Sequence, residues 1–276
     1  MTSSGMQWTK VEPGHVSPKI DTGTANVARM YDYYLGGKDN FEADRIAAEQ
    51  VLAQLPGQRR SALENRRFLR RAVGFLAGQA GIDQFLDIGV GLPTQGAVHE
   101  VAHEINPRSR VAYVDYDPVV VAHANALLAT PDQSVVVAED IRRPRELLAN
   151  PVIRGHLDFD RPIAVLVLAI FHFVRDEDDP AAITACLREA LAPGSYLVLS
   201  VGRADGDEAE RGFGAYSSGH VTAYNHSVAD FSSFFGSLPL VAPGIADARL
   251  WHPEPALTEP LPPRAGQSLV GVARIG

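Results

Sequence analysis

The sequence predicts an α/β fold, in which helices cover both faces of a mainly parallel β-sheet. From residue 84 onwards, short apolar runs alternate with segments of helical periodicity, as in a chain of strand–helix–strand units. The run Ile163–Leu168 is apolar throughout, which is typical of a strand buried on both faces. A Gly-x-Gly turn at Gly89–Gly91 separates the first strand from the helical segment that follows. Together these observations indicate parallel strands joined by right-handed crossovers.

Composition and charge are those of a globular protein. The 276 residues are 46% hydrophobic and 21% charged, with a net charge of −8 at pH 7, which argues against general nucleic-acid binding. No apolar run reaches transmembrane length, and the N-terminus lacks a signal-peptide pattern. The single cysteine, Cys186, rules out a disulfide framework. We therefore expect a cytoplasmic protein with neither nucleic-acid nor membrane partners, and the sequence leaves its oligomeric state open.

The N-terminal part divides into an arm and a helical region. Residues 1–19 show no periodicity and are predicted to be a flexible arm. Residues 20–80 predict helices, the first of which is stopped by Gly36-Gly37. Three tyrosines fall within four residues before that stop, so they cannot all face one core. We expect residues 20–80 to form a lid over a domain at 81–276.

The remaining elements follow from periodicity and turn residues. Strands are predicted at 84–88, 110–115, 134–138, 163–168 and 195–201, and helices at 94–105, 118–128, 144–149 and 180–191. The glycine-rich stretch 202–226 breaks this rhythm and predicts a long mobile segment. A helix at 227–237 and strands at 245–251 and 269–275 complete the chain.

The glycine turn carries the main functional signal. Asp87-Ile88-Gly89-Val90-Gly91 joins the first strand to a helix that Pro93-Thr94 opens, a unit that holds anionic or nucleotide-like ligands in open α/β sheets. The carboxylate that closes the strand repels a dinucleotide pyrophosphate and attracts the ammonium group of a methionine moiety. The motif therefore favours S-adenosylmethionine over NAD, with a glycine-rich turn that binds nothing as the alternative.

Three aspartates close successive strands, namely Asp87, Asp115 and Asp140. Because the carboxyl ends of parallel strands share one edge of a sheet, these side chains are expected to line a single cleft. We expect Asp115 to accept hydrogen bonds from ribose hydroxyls and Asp140 to accept one from the adenine amino group. Ile141 and Tyr116 are then placed to cover the two adenine faces. The alternative is that some of the aspartates only cap the helices that follow them.

These motifs resemble the cofactor motifs of class I S-adenosylmethionine-dependent methyltransferases. More narrowly, Ala28–Phe41, Asn65-Arg66 and Leu168–Phe173 resemble an actinobacterial family of S-adenosyl methyltransferases whose substrate is not known. The resemblance extends from about Ile20 to the C-terminus and is most specific at Tyr31–Lys38. It implies a Rossmann-like seven-stranded methyltransferase sheet with helices on both faces, in which the last two strands form an antiparallel edge.

The resemblance also implies S-adenosyl-L-methionine as the cofactor and a methyl acceptor as the partner. The predicted cofactor-binding residues are Asp87, Ile88, Gly89, Gly91, Thr94, Asp115, Tyr116, Asp140, Ile141, Leu168, Ala169, Arg66 and Lys38. Pro93 replaces the third glycine of the general motif, which shifts contacts toward the backbone of its neighbours. The tail Ala169-Ile-Phe-His lacks the Asn/Asp-Pro-Pro-Tyr motif of amino-methylating nucleic-acid enzymes, so we expect a small-molecule acceptor.

Two residues are candidates for the chemistry itself. Methyl transfer is an in-line displacement that needs positioning and sometimes a base. His172 follows the fourth strand, near the expected methyl group, and a neutral imidazole there could take a proton; a packed histidine bonded to backbone is the alternative. Tyr31 is the second candidate, and with Tyr34, Tyr216 and Tyr224 it could line the acceptor pocket.

Two other functions fit parts of the sequence. His99-Glu100-Val101-Ala102-His103 matches the H-E-x-x-H helix of zinc hydrolases, but no histidine completes the extended H-E-x-x-H-x-x-G-x-x-H pattern, in which position 106 here is Asn. We therefore expect no metal. A protein that binds S-adenosylmethionine or a related nucleoside without turnover is the other alternative, since no base stands out.

Overall fold

The computed structural model describes residues 20–93, 96–203, 207–217, 222–252 and 267–276. Seven strands form one sheet in the order β3-β2-β1-β4-β5-β7-β6. They are β1 (Gln84–Ile88), β2 (Arg110–Asp115), β3 (Ser134–Ala138), β4 (Ala164–Leu168), β5 (Tyr196–Arg203), β6 (Ala246–Asp247) and β7 (Gln267–Arg274). The first five are parallel, whereas β7 runs antiparallel to both β5 and β6. The predicted seven-stranded sheet with an antiparallel edge is confirmed.

Ten helices lie within the described part of the chain. They are α1 (Val27–Tyr34), α2 (Glu42–Gln54), α3 (Gln58–Gly78), α4 (Val98–Ile105), α5 (Pro118–Leu127), α6 (Pro144–Ala149), α7 (Pro151–His156), α8 (Pro180–Glu189), α9 (Asp207–Ser217) and α10 (Val228–Ser233). The sequence pattern did not predict α7, because Asn150-Pro151 is typical of a break; here Asn150 caps the new helix and Pro151 occupies its first turn. No helix of the described ranges is long and apolar enough to cross a membrane.

Two hydrophobic layers cover the two faces of the sheet. On one face, α3 packs with α4 on the central strands, burying Phe68, Leu76 and Phe85 in one cluster. On the other face, side chains such as Leu147 and Leu187 of the crossover helices form a second cluster. The predicted lid over residues 20–80 therefore divides in two, because α3 belongs to the layers around the sheet and only α1 and α2 stand outside them. The predicted arm, residues 1–19, lies outside the described residues.

A third cluster joins α1 and α2 to α9. Met30, Ala48 and Val51 are buried together with Tyr216. Gly212 packs so closely on Leu55 that a Cβ at this position would overlap the leucine side chain. The structure thus places a helix within the stretch predicted to be a mobile segment. Glycine there permits close helix packing, a role that a glycine-rich sequence does not distinguish from flexibility.

Candidate functional site

A cleft lies at the carboxyl ends of the parallel strands, with α1 and α3 forming one wall. Of the predicted residues, its walls contain Arg66, Asp87, Ile88, Gly89, Gly91, Asp115, Tyr116, Asp140, Ile141, Leu168 and Ala169, together with the chemical candidates Tyr31 and His172. Thr94 is outside the described residues. Lys38 is exposed and is not part of these walls, so the structure does not bring it together with the others.

The glycine loop and Asp115 form a cradle that fits a ribose. Gly89 and Gly91 both have positive φ, +82° and +64°, which a side chain would strain. The Gly91 N–H donates to Asp115 Oδ2 and the Asp117 N–H to Asp115 Oδ1, each at 3.0 Å. The carboxylate is held in place by these two bonds, and each oxygen keeps a lone pair directed away from the backbone. Asp115 can therefore accept two further hydrogen bonds, as a ribose diol requires.

Asp87 is a buried carboxylate beside this cradle. It is only 6% exposed and accepts no hydrogen bond from the described residues. Burial raises the pKa of Asp87 to about 7; the nearby Arg66 opposes this shift, and the charge of Asp115 adds to it. A buried carboxylate without donors is costly when ionised, and a bound cation relieves that cost. The chemistry of this carboxylate therefore suits a cationic ligand group.

The end of the cleft at Asp140 contains an arginine that the sequence pattern did not single out. Arg142 pairs with both carboxylate oxygens of Asp140, at 2.5 to 3.0 Å. Although burial acts in the opposite direction, these bonds hold the pKa of Asp140 below its usual range. The Arg142 guanidinium also lies over the exposed ring of Tyr116, 5.6 Å from its centroid. Arg142 therefore contacts two of the residues that were predicted to surround the adenine.

His172 is a packed histidine rather than an available base. Its Nδ1 accepts a hydrogen bond from the Gly202 N–H at 3.3 Å, so the proton of the neutral ring is on Nε2. Burial, followed by the neighbouring His226, lowers the pKa of His172 to about 3. Protonation of Nδ1 would break the hydrogen bond from Gly202 and would place a positive charge in a buried position. This bond to the backbone is the one that the packed alternative expects, and in this tautomer Nε2–H is a donor.

Tyr31 is fixed at one end of a chain of hydrogen bonds. Its hydroxyl donates to the Ala62 carbonyl and accepts from Asn65 Nδ2, both at 3.1 Å. Asn65 Oδ1 in turn accepts from Ser200 Oγ at 2.6 Å, and Ser200 Oγ accepts from the Ala169 N–H at 2.9 Å. Burial raises the pKa of Tyr31. The Tyr31 hydroxyl therefore donates one hydrogen bond and accepts one, which links α1 to α3. Ser200 was missed, although a serine within an apolar strand was the available signal.

The turn after α1 is built around Asp32. Its carboxylate accepts hydrogen bonds from the Asp39 N–H at 3.0 Å and from Asn40 Nδ2 at 2.8 Å. A Cβ at Gly37 would overlap this carboxylate. Glycine at position 37 therefore allows the chain to turn closely around Asp32. The turn leaves Lys38 on the outer surface.

The H-E-x-x-H segment is engaged in the packing of α4. The Tyr113 hydroxyl and His99 Nδ1 share a hydrogen bond of 2.7 Å, and His103 Nε2 donates to the Ser109 carbonyl at 2.9 Å. Glu100 accepts from the Gly96 and Ala97 N–H groups at the start of the helix. Across the described residues, no group of three or more His, Cys, Asp or Glu side chains could hold a metal ion. Nothing in this geometry supports a zinc hydrolase.

Comparisons with known proteins agree with the chemistry of the cleft. A family model described as S-adenosyl methyltransferase matches residues 13–276. A DUF574 family protein from Streptomyces avermitilis, known from its crystal structure, is 40% identical; the match covers 93% of this chain and 99% of that one, with a TM-score of 0.88. A Thermobifida fusca protein with a proposed methyltransferase function is 38% identical, with coverage of 96% and 99% and a TM-score of 0.88.

A more distant solved structure shares the fold. Magnesium protoporphyrin IX methyltransferase from Synechocystis PCC 6803, with bound S-adenosylhomocysteine, is 15% identical over 90% of this chain and 93% of that chain, with a TM-score of 0.52. The search of curated proteins found no match.

Proposed function

The chain belongs to the S-adenosyl methyltransferase family and is an S-adenosylmethionine-dependent methyltransferase, and we propose that its methyl acceptor is a small molecule bound in the cleft beside the cofactor. When bound, S-adenosylmethionine supplies a methyl group on a cationic sulfur; an acceptor lone pair bonds to the methyl carbon as the C–S electron pair stays on sulfur. Family membership favours this enzyme over the non-catalytic binding protein considered above.

One observation carries the placement of the cofactor. Asp87 and Asp115 lie side by side at the ends of β1 and β2. Asp87 accepts no hydrogen bond from the part of the chain that the structure describes, whereas Asp115 is held by two backbone N–H groups. Asp87 suits a cation and Asp115 suits a ribose diol. The cationic groups and the ribose follow one another in the same order along S-adenosylmethionine. On this proposal, Arg66 binds the methionine carboxylate, whereas Asp140, Ile141 and Tyr116 surround the adenine.

The proposal of a small acceptor rests on how α1 crosses the cleft. Asn26, which caps α1, donates from Nδ2 to Asp117 Oδ2 at 2.5 Å, and both residues line the cleft. This contact ties the start of α1 to the segment that follows β2. Glu139 adds a further carboxylate to the same walls, which disfavours a polyanion such as nucleic acid. We also propose a cytoplasmic location, since the single cysteine indicates a reducing compartment.

Calorimetry with purified protein tests the cofactor assignment. We expect S-adenosylmethionine and S-adenosylhomocysteine to bind and NAD to give no heat of binding. Formation of S-adenosylhomocysteine with candidate acceptors then tests turnover. Binding of NAD without a response to either sulfur nucleoside would overturn the assignment, and turnover only on nucleic acid would overturn the small acceptor.

A further inference from the structure

Charge is distributed unevenly along the cleft. The ionisable side chains Asp87, Asp115 and Asp140 are at the ends of β1, β2 and β3, and Arg142 follows them. The sheet order places β4, β5 and β7 on the other side of β1. Since neighbouring strands lie about 4.8 Å apart, the ends of β2 and β5 are roughly 14 Å apart. The cleft thus has a charged half over β3-β2-β1 and a second half, here called the aromatic half, over β4-β5-β7.

The aromatic half is lined by rings from three separate parts of the chain. His172 and Phe173 follow β4 with their ring centroids 4.2 Å apart, and Tyr216 of α9 meets Phe173 edge-on at 5.8 Å. Tyr34 of α1 completes the wall, and the cleft lining includes all four residues. Rings held in this way present flat apolar faces, which are the surfaces that aromatic ligands pack against.

At neutral pH these four side chains carry no charge. Burial lowers the pKa of His172 to about 3 and raises that of Tyr216 to about 12. Burial and the adjacent Tyr216 phenol also raise the pKa of Tyr34. Among the described lining residues, the carboxylates and Arg142 lie at or after the ends of β1, β2 and β3, and Arg66 lies close enough to Asp87 to oppose the shift in its pKa. Among the described lining residues of the aromatic half, a charged acceptor finds no counter-ion, so burying its charge there would be costly.

The Tyr34 hydroxyl gives the aromatic half a polar contact for a ligand. Tyr34 is 3% exposed, and its hydroxyl meets the Tyr216 hydroxyl in a contact that falls short of good hydrogen-bond geometry. A buried hydroxyl in this state is costly, and a ligand group that bonds to it removes the cost. The acceptor is thus offered ring faces together with one neutral hydroxyl.

Building on the proposed function, we infer that the methyl acceptor is a small, uncharged aromatic molecule. Its ring packs among Phe173, His172 and Tyr216, and a heteroatom on the ring bonds to the Tyr34 hydroxyl. An anionic acceptor is disfavoured because Arg142 is paired with Asp140 and Arg66 lies beside Asp87, both in the charged half. A cationic acceptor is disfavoured because the described carboxylates of the cleft lie in that half too.

Three matched probes test this inference on the protein saturated with S-adenosylhomocysteine. They are 2-naphthol, 2-naphthoate and 2-naphthylmethylammonium, which share one ring system and differ in charge. We expect naphthol to bind at least tenfold more tightly than either ion in a calorimetric titration. Equal or tighter binding of an ion, or no binding of naphthol, would overturn the inference. Failure of S-adenosylhomocysteine itself to bind would instead overturn the cofactor placement, so the two failures are distinguishable.

Tyr34→Phe supplies the residue-level test, because it removes the hydroxyl and keeps the ring. We expect naphthol affinity to fall about three- to tenfold, the size of one neutral hydrogen bond, with S-adenosylhomocysteine affinity and melting temperature maintained. Tyr33→Phe is the matched control, since that hydroxyl bonds to Glu49 on the outer surface. Naphthol binding that is unchanged in Tyr34→Phe, or lowered equally in both variants, would contradict the assigned contact.

Discussion

Ser200 donates its hydroxyl proton to the side-chain oxygen of Asn65, 2.6 Å away and 135 residues earlier in the chain. This bond joins β5 to α3 directly beneath the cleft. It also links the backbone of Ala169, which has a positive φ of 58°, to the hydroxyl of Tyr31 on α1. Helix and sheet edge are therefore held in one arrangement by a network in which each polar atom has a partner, a condition under which buried networks are stabilising.

A double-mutant cycle measures the coupling within this network. We expect Asn65→Ala and Ser200→Ala each to lower the free energy of unfolding by about 1–3 kcal/mol, because each leaves a buried polar partner unsatisfied. The double variant should lose less free energy of unfolding than the two single variants together, with a coupling energy of about 0.5–3 kcal/mol. Ser195, which accepts from the Ile163 N–H at the opposite end of the sheet, is the control partner, and its alanine variant should add independently to Asn65→Ala. Full additivity of Asn65 with Ser200 would contradict the network.

Asp87 should make the cofactor-free protein less stable as the pH rises. Burial raises its pKa from 3.8 to about 7 in the folded protein, so the folded state holds the proton more tightly than the unfolded state does. The resulting stabilisation is complete below about pH 4 and is lost as the pH rises through about 7. Asp87→Asn stays neutral, and its thermal stability relative to the unmodified protein should increase between about pH 5 and pH 8. Exposed Asp160 is the control, and Asp160→Asn should show no such trend. A constant difference across this range would refute the expectation.

The same carboxyl should make cofactor binding dependent on pH. A cationic ligand binds best to ionised Asp87, so affinity for S-adenosylhomocysteine, whose ammonium group is retained, should rise as the pH increases through about 7. Proton release near neutral pH, measured by calorimetry in buffers of different ionisation enthalpy, is the direct readout. Asp87→Asn should bind more weakly and lose this dependence. Binding to the unmodified protein without proton exchange would mean that Asp87 does not meet the cation.

Asp115 has a structural as well as a ligand-binding role, and two substitutions separate them. Asp115→Asn keeps one oxygen acceptor, so we expect a fall in cofactor affinity of at least tenfold, since hydrogen bonds to a charged group are worth about 1.5–3 kcal/mol each. Asp115→Ala also removes the partner of the Gly91 and Asp117 N–H groups, and should lower the melting temperature of the cofactor-free protein as well. Unchanged affinity in Asp115→Asn would leave only the structural role.

Gly37 and Lys38 are adjacent but should respond differently to substitution. Gly37→Val places a side chain on the Asp32 carboxylate and should destabilise the turn between α1 and α2, lowering the melting temperature and, through α1, cofactor affinity. Lys38→Ala alters an exposed side chain outside the cleft and should change neither quantity. A loss of affinity in Lys38→Ala would show that this lysine reaches the ligand after all.

The sequence alone determined which strands form and which of their ends carry aspartates, because both follow from residues close together in the chain. Alternation of apolar runs with helical periodicity predicted β1 to β5, and parallel topology brings Asp87, Asp115 and Asp140 to one edge whatever the details of packing. These predictions need only local patterns and the geometry of parallel sheets.

Tertiary structure decided what each side chain does at that edge. Arg142 forms an ion pair with Asp140, and the Gly202 N–H donates a hydrogen bond to His172. Gly212 allows a helix to pack closely on Leu55 where the sequence indicated a mobile segment. Such contacts depend on the angle and distance at which separate elements meet, and the identity of a polar residue or glycine does not encode its partner. The division of the cleft into charged and aromatic halves arises in the same way, because strand order places side chains from distant parts of the sequence next to one another.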